Sequence, residues 1–327
     1  MPRSAGILPA ILLAFAWPAL AWAAADSGTV PASPARQGFE RMISKSQEHV
    51  AKANQDPGNR GAGPYPARQE VDLALPDFSI YRPADLAPFA RRKLGLVIWG
   101  NGGCSNDGAS ARAHLAEIAS HGYLVIAPGR PLTGPLALPG APAPAFMRTT
   151  VQDLWIALDW ALAENGRRGS PYFQRLDSRM IAAAGHSCGA MQAMILADDP
   201  RIATLLIHNS AVMPVLPDNP PLVMHDERLK GLQRPTLMLL GGESDIVWRF
   251  AVSTFENITK APVFFASRET GHDGTFAKPN GGENAQIAVA WLEWQLRGDR
   301  NASLNFLGRD CLVCSNPAWT VRKKRLQ

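Results

Sequence analysis

The sequence predicts an α/β fold, with a mostly parallel central sheet and helices on both faces. Three observations predict it. Short apolar runs alternate with stretches of helical length and pattern from Phe78 to Arg297, the rhythm of βαβ units. Several runs, such as LGLVIW at Leu94–Trp99, are apolar throughout, as strands buried on both faces must be. The chain of 327 residues, 46% of them apolar, carries neither an internal repeat nor a second-domain boundary. It is long enough to bury one large core.

The elements follow in order. Arg3, the apolar run Ile7–Leu20 broken by Pro9 and Pro18, and the small residues Ala21-Trp22-Ala23-Ala24-Ala25 have the charged, apolar and cleavage regions of a secretory signal. Residues 1–25 are therefore expected to be removed on export, to the periplasm or the medium. No later segment approaches the roughly 18 consecutive apolar residues of a membrane span, so no stable membrane insertion is expected. Residues 26–65, rich in Pro, Gly, Gln and Arg, read as an N-terminal arm, with one helix near Phe39–Ala53. One domain is expected over 66–327.

Within that domain, strands are predicted at Phe78–Arg82, Leu94–Trp99, Tyr123–Ala127, Met180–Ala184, Ala203–Ile207, Thr236–Leu240 and Val263–Ala266. Helices are predicted at Ala111–His121, at Thr150–Glu164 with Val151, Leu154, Leu158 and Ala161 on one stripe, after Ser187, at Trp248–Ile258 and at Asn284–Arg297. Two long proline-rich connections, Pro131–Met147 and Met213–Pro235, interrupt the rhythm, and long loops in compact domains are commonly functional.

The formal charge of +5 invites a nucleic-acid reading, but the cations are scattered. The densest run, Arg322-Lys323-Lys324-Arg325, reads as a solvated tail, and no stripe of cations interleaved with aromatics exists to follow a phosphate backbone. The four cysteines form an even count in an exported chain, which favours disulfides. Cys311 and Cys314 are spaced to close on each other. A zinc half-site is the rival, but no second C-x-x-C accompanies them, and no metal or organic cofactor is expected.

The chemistry is concentrated after the strand Met180–Ala184, in Gly185-His186-Ser187-Cys188-Gly189. A serine between glycines on a sharp strand-to-helix turn exposes its hydroxyl above the sheet, next to a helix N-terminus that favours developing negative charge. A serine hydroxyl needs a base, and the base needs an orienting carboxylate. Asp245 lies just past the strand Thr236–Leu240, and His272 lies past Val263–Ala266. Ser187 is thus the candidate nucleophile, His272 the base and then acid, and Asp245 the orienter. Glu243 is the alternative acid. His186 is expected to point away on so tight a turn, His208 to line the cleft, and Asp273 to have at most a supporting role. His49, His114, His121 and His225 are expected to be surface or structural. Oxyanion donors are expected from Cys188 N–H and from the Gly-rich stretch Gly100-Asn101-Gly102-Gly103-Cys104.

Beyond these motifs, the stretch Cys104–Ile126 with Ile118-Ala119-Ser120-His121-Gly122-Tyr123 resembles the bacterial cutinase and polyester-hydrolase branch of the α/β hydrolases, near the dienelactone-hydrolase group. The similarity continues through GHSCG, the Asp245 loop, His272 and the final Ala290-Trp291-Leu292 helix with its cysteine-bearing tail, and so covers most of the chain from Leu94. It implies the α/β-hydrolase fold and an ester substrate, small or polymeric. It also implies oxyanion positions at Cys104, or Gly103 beside it, and at Cys188. Where that branch usually has an aromatic residue and a methionine, this chain has two cysteines, and the family geometry would bring them together as a Cys104–Cys188 disulfide beside Ser187. The missing aromatic at Cys104, and Ala211, Val212 and Met213 after Asn209-Ser210, argue against an aromatic polyester. Val212, Met213, Phe146, Met147 and Phe276 are expected to form an apolar substrate pocket. A peptidase, thioesterase or lactonase on the same triad, and an inert binding protein on the same fold, remain rival readings. Nothing in the sequence sets the oligomeric state.

Overall fold

The computed structural model describes residues 54, 56, 58–212 and 226–326. The signal segment, most of the arm, His49, Met213 and His225 lie outside the described residues.

The described residues form an α/β fold around a nine-stranded sheet. Its strands are β1 (Ala67–Asp72), β2 (Leu75–Pro83), β3 (Leu94–Gly100), β4 (Tyr123–Pro128), β5 (Leu176–His186), β6 (Thr204–His208), β7 (Thr236–Leu240), β8 (Val263–Ser267) and β9 (Thr320–Lys324). They lie in the order β1-β2-β4-β3-β5-β6-β7-β8-β9. From β4 through β8 all neighbours are parallel, while β1, β2 and β9 run antiparallel to theirs. The order leaves β4 and jumps back across β3 to β5, and in open parallel sheets functional groups gather at the carboxyl ends near such a reversal.

The helices are α1 (Arg112–Ser120), α2 (Val151–Gly166), α3 (Cys188–Leu196), α4 (Asp226–Gly231), α5 (Trp248–Asn257), α6 (Gly282–Arg297) and the single turns α7 (Arg300–Ser303) and α8 (Leu312–Ser315). Strand alternation sorts the core into two layers. Leu94, Leu96 and Ile98 of β3 face α2, α3 and α5, with Leu154, Leu158, Met194 and Phe255. Val97 and Trp99 face α1 and α6, with Leu115, Ile118, Trp291 and Leu292. A large apolar side chain buried this way contributes about 1.5–3 kcal/mol.

One sequence expectation is corrected, and two further features were not foreseen. The basic C-terminal run is no solvated tail but edge strand β9, paired antiparallel to β8. Lys323 Nζ donates to the carbonyls of Phe306 and Gly308, and Lys324 Nζ to those of Phe255 and Glu256. Charged side chains suit an exposed edge, where they discourage pairing with another chain. β1 was missed for the same reason, since ARQEVD alternates polar groups at the opposite edge. The end of the expected arm is also ordered against α1. There Ala62 N–H donates to Glu117 Oε2, Gly63 N–H to Ser120 Oγ, and Tyr65 N–H to Ser120 O.

Candidate active site

Ser187 closes β5 and opens α3 with φ 52° and ψ −123°. This left-handed backbone is costly for a residue with a side chain and is tolerated where surrounding structure over-determines it. Here both flanking glycines are required. A Cβ on Gly189 would lie 2.0 Å from the Gly100 carbonyl carbon, and one on Gly185 would lie 2.6 Å from Gly189 C. Ser187 N–H donates to His208 O at 3.0 Å, and Ser187 O accepts from Ser210 Oγ at 2.7 Å.

The three expected residues meet at this turn. In the neutral form Ser187 Oγ–H donates to His272 Nε2 at 2.9 Å, and His272 Nδ1–H donates to Asp245 Oδ1 at 2.7 Å. Asp245 is buried, whereas Glu243, the alternative acid, is exposed. Burial pushes the Asp245 pKa up, but hydrogen bonding and charge from His272, with bonds from Asn209 and Val247, outweigh it and hold the carboxyl below its usual value. An ionised Asp245 fixes the His272 tautomer that leaves Nε2 free to take the serine proton.

Asn209 and Glu269 contribute to the site without a motif to announce them. Asn209 holds φ 46° just past β6. Its Nδ2 donates to Asp245 Oδ2 at 2.9 Å and to Gly271 O at 3.0 Å, joining the acid to the loop that carries the base. Glu269 accepts from Glu243 N–H, Ser244 N–H and Ser244 Oγ, locking the same two loops together. The only sequence signal is their position at strand ends.

Cys104 and Cys188 form a disulfide with Cα atoms 5.2 Å apart, and Cys311 and Cys314 form a second. The first ties the residue after Ser187 to the Gly-rich turn after β3. As the first residue of α3, Cys188 has an N–H with no acceptor within its helix. Cys104 N–H is instead engaged by Asn101 O at 3.0 Å. The loop 145–149 lies over this turn. Met147 N–H donates to Gly103 O at 2.9 Å, Phe146 packs on Gly103, and Met147 Sδ sits 3.6 Å from Cys188 Sγ.

Other expected positions separate. Val212 is partly buried against the core, its N–H held by Thr254 Oγ1 at 2.8 Å. Phe276, expected in the substrate pocket, is instead buried among Trp99, His114, His186 and His208, with ring centroids 4.8–5.9 Å away. His208, expected in the cleft, is fully buried in that cluster. Both are held in this cluster because Trp99 and His114 offer rings to pack on, and ring packing gains contact that a solvent-facing ring would lose. His186 does not turn idly away, for its Nε2–H donates to the main-chain carbonyl of His272 at 2.9 Å. Burial, then the neighbouring His272, pushes its pKa down to about 4, so it stays neutral near pH 7.

Among the described residues no group of three His, Cys, Asp or Glu is placed to hold a metal ion, and no helix is long and apolar enough to cross a membrane. No protein-family model matches the chain, and no curated protein matches it.

Proposed function

We propose that the protein is an exported serine hydrolase of the α/β-hydrolase fold that cleaves carboxylic esters through an acyl-enzyme. The observation that carries this reading is the continuous hydrogen-bonded chain Ser187–His272–Asp245 at a strained strand-to-helix turn. The sheet order and the chain order Ser, Asp, His support the fold assignment.

Ser187 Oγ attacks the ester carbonyl carbon as His272 Nε2 accepts its proton. The tetrahedral oxyanion forms beside Cys188 N–H at the start of α3, with Gly103 N–H as the second donor. Collapse breaks the bond to the alkoxy oxygen, which leaves as the alcohol after taking the proton from His272. Water, deprotonated by His272, then attacks the acyl carbon and releases the acid and Ser187. The Cys104–Cys188 disulfide holds the two donor segments in register, so the hole is formed before substrate arrives. Two disulfides fit an oxidising compartment and support export.

Met147, partly exposed and in contact with the disulfide, marks the apolar approach to Ser187. Ile246, next to Asp245, and Phe250, one turn further on α5, are also exposed apolar groups. These suit an apolar acyl or alcohol part better than a charged one. Hydrolysis of p-nitrophenyl esters from acetate to long acyl chains, by wild type and Ser187→Ala in parallel, tests the reading. Turnover by wild type alone supports it, and the preferred chain length sizes the pocket. Equal turnover by both proteins, or by neither, removes it.

A further inference from the structure

Ser187 is flanked in sequence by two residues that each leave the turn in a different direction. Cys188 reaches the Gly-rich turn after β3 through its disulfide to Cys104. His186 reaches the loop of the base. Its Nε2 lies 2.9 Å from the His272 carbonyl oxygen, and its ring centroid lies 5.2 Å from that of His272. A carbonyl can only accept, so His186 presents Nε2–H, and its other nitrogen faces the backbone of Gly102. A Cβ there would fall 2.3 Å from His186 Nδ1. The ring also packs on Phe276 at 4.8 Å. It is therefore wedged between the Gly-rich turn, the base loop and the buried aromatic cluster, with little freedom to move.

We propose that His186 is a positioning residue for His272: its Nε2–H holds the main-chain carbonyl of the base, setting the distance from the imidazole to the Ser187 hydroxyl. The nucleophile turn is then clamped from both sides, covalently to the oxyanion segment and by a hydrogen bond to the base. The proposal rests on the ester-hydrolase reading of Ser187.

The geometry explains why a histidine suits this place. The bond comes from the atom four bonds beyond Cα, which a glutamine amide nitrogen also reaches and an asparagine amide does not. A neutral donor adds no second positive charge beside His272 when that ring becomes cationic during turnover. The loop carrying His272 also contains Gly271 at φ 70° and Gly274 at φ 55°, so its backbone needs external ties. Asn209 supplies one at the Gly271 carbonyl and His186 supplies the next, one residue on.

The test compares His186→Gln and His186→Asn, which differ by one methylene, using p-nitrophenyl butyrate turnover and the proton NMR resonance of the His272–Asp245 hydrogen bond. His186→Asn is expected to lower kcat about 10- to 100-fold, the scale of a base displaced by a fraction of an ångström to 1 Å. Its KM should stay close to that of wild type, because the bond orients the base without contacting substrate. His186→Gln should recover most of kcat, and the proton resonance should be lost or shifted in Asn and kept in Gln. An active wild type with equal kcat in both variants and an unchanged resonance overturns the positioning role while leaving the ester-hydrolase reading intact. If wild type cleaves no ester, that reading fails, and the resonance alone decides. Its loss in Asn with retention in Gln supports the positioning role, and its persistence in both overturns it.

Discussion

Lowering the pH from 6.5 to 5.5 should destabilise the fold through two histidines remote from solvent. His114 and His208 are both fully buried, 4.8 Å apart edge-to-face, and no ring nitrogen of either has a hydrogen-bond partner among the described residues. Burial, then the charge of His186, pushes the His114 pKa down to about 3. Burial, then His114 and His186, pushes that of His208 well below its usual value. In the unfolded chain both return to about 6.5. Over this interval the unfolded state therefore binds protons that the native state refuses, and stability must fall with pH. Each histidine contributes RT ln[(1 + 10)/(1 + 1)], about 1 kcal/mol, so the pair accounts for about 2 kcal/mol over that unit and more over the next. The stabilising contribution is fully present above about pH 6.5 and is lost progressively toward pH 3. Urea unfolding without reductant, at pH 7.5, 6.5 and 5.5, measures the loss in wild type and in the double variant His114→Leu/His208→Leu. The double variant should lose about 2 kcal/mol less between pH 6.5 and 5.5. An equal loss in the two proteins would mean that the buried rings bind protons as readily as free ones.

Three further outcomes follow from the geometry. Replacing Cys104 and Cys188 by serine opens a closed loop with a sequence separation of 84, worth about 4.5 kcal/mol of chain entropy. Urea unfolding should show a loss of about 2–4 kcal/mol, with kcat falling more than KM rises; unchanged stability would contradict the clamp. Asn209→Ala removes the bonds to Asp245 Oδ2 and Gly271 O, which should raise the Asp245 pKa toward its unfolded value and so reduce the stability that the ionised carboxyl lends at pH 7, by about 1 kcal/mol in urea unfolding. Unchanged stability at pH 7 would mean that Gly241 and Val247 N–H groups suffice. Gly189→Ala places a methyl 2.0 Å from the Gly100 carbonyl carbon, so stability and activity should both fall, by several kcal/mol for the former; a fully active, stable variant would contradict the close approach of the two turns.

Much of the interior was legible because buried parallel strands have a strong apolar signal. LGLVIW, TLMLL and VFFA all became strands, at β3, β7 and β8. The sheet edges were not legible, because β1 and β9 are exposed and carry charges that also suit loops and tails. β5 begins at Leu176, earlier than the apolar run suggests, since Asp177, Ser178 and Arg179 are polar. In the site, Ser187, Asp245 and His272 were readable from strand–turn contexts and chain order, and the Cys104–Cys188 pairing from a family resemblance. Side-chain direction was not readable. Adjacency to Ser187 could not say that His186 reaches back to the His272 carbonyl. The apolar character of Phe276 could not distinguish a pocket wall from a partner for His114, and Asn209 had no pattern to mark the acid it holds.

The proposed chemistry turns on activation of Ser187 as a nucleophile by His272 and Asp245. The most direct measurement is labelling with a fluorophosphonate, followed by mass mapping of the adduct, in wild type, Ser187→Ala and His272→Ala. Wild type should carry one phosphonyl group per chain on Ser187 and Ser187→Ala none, and labelling should be slowed by at least about 100-fold in His272→Ala. An unlabelled wild type, or a label on another residue that persists in Ser187→Ala, would show that Ser187 is not the activated nucleophile.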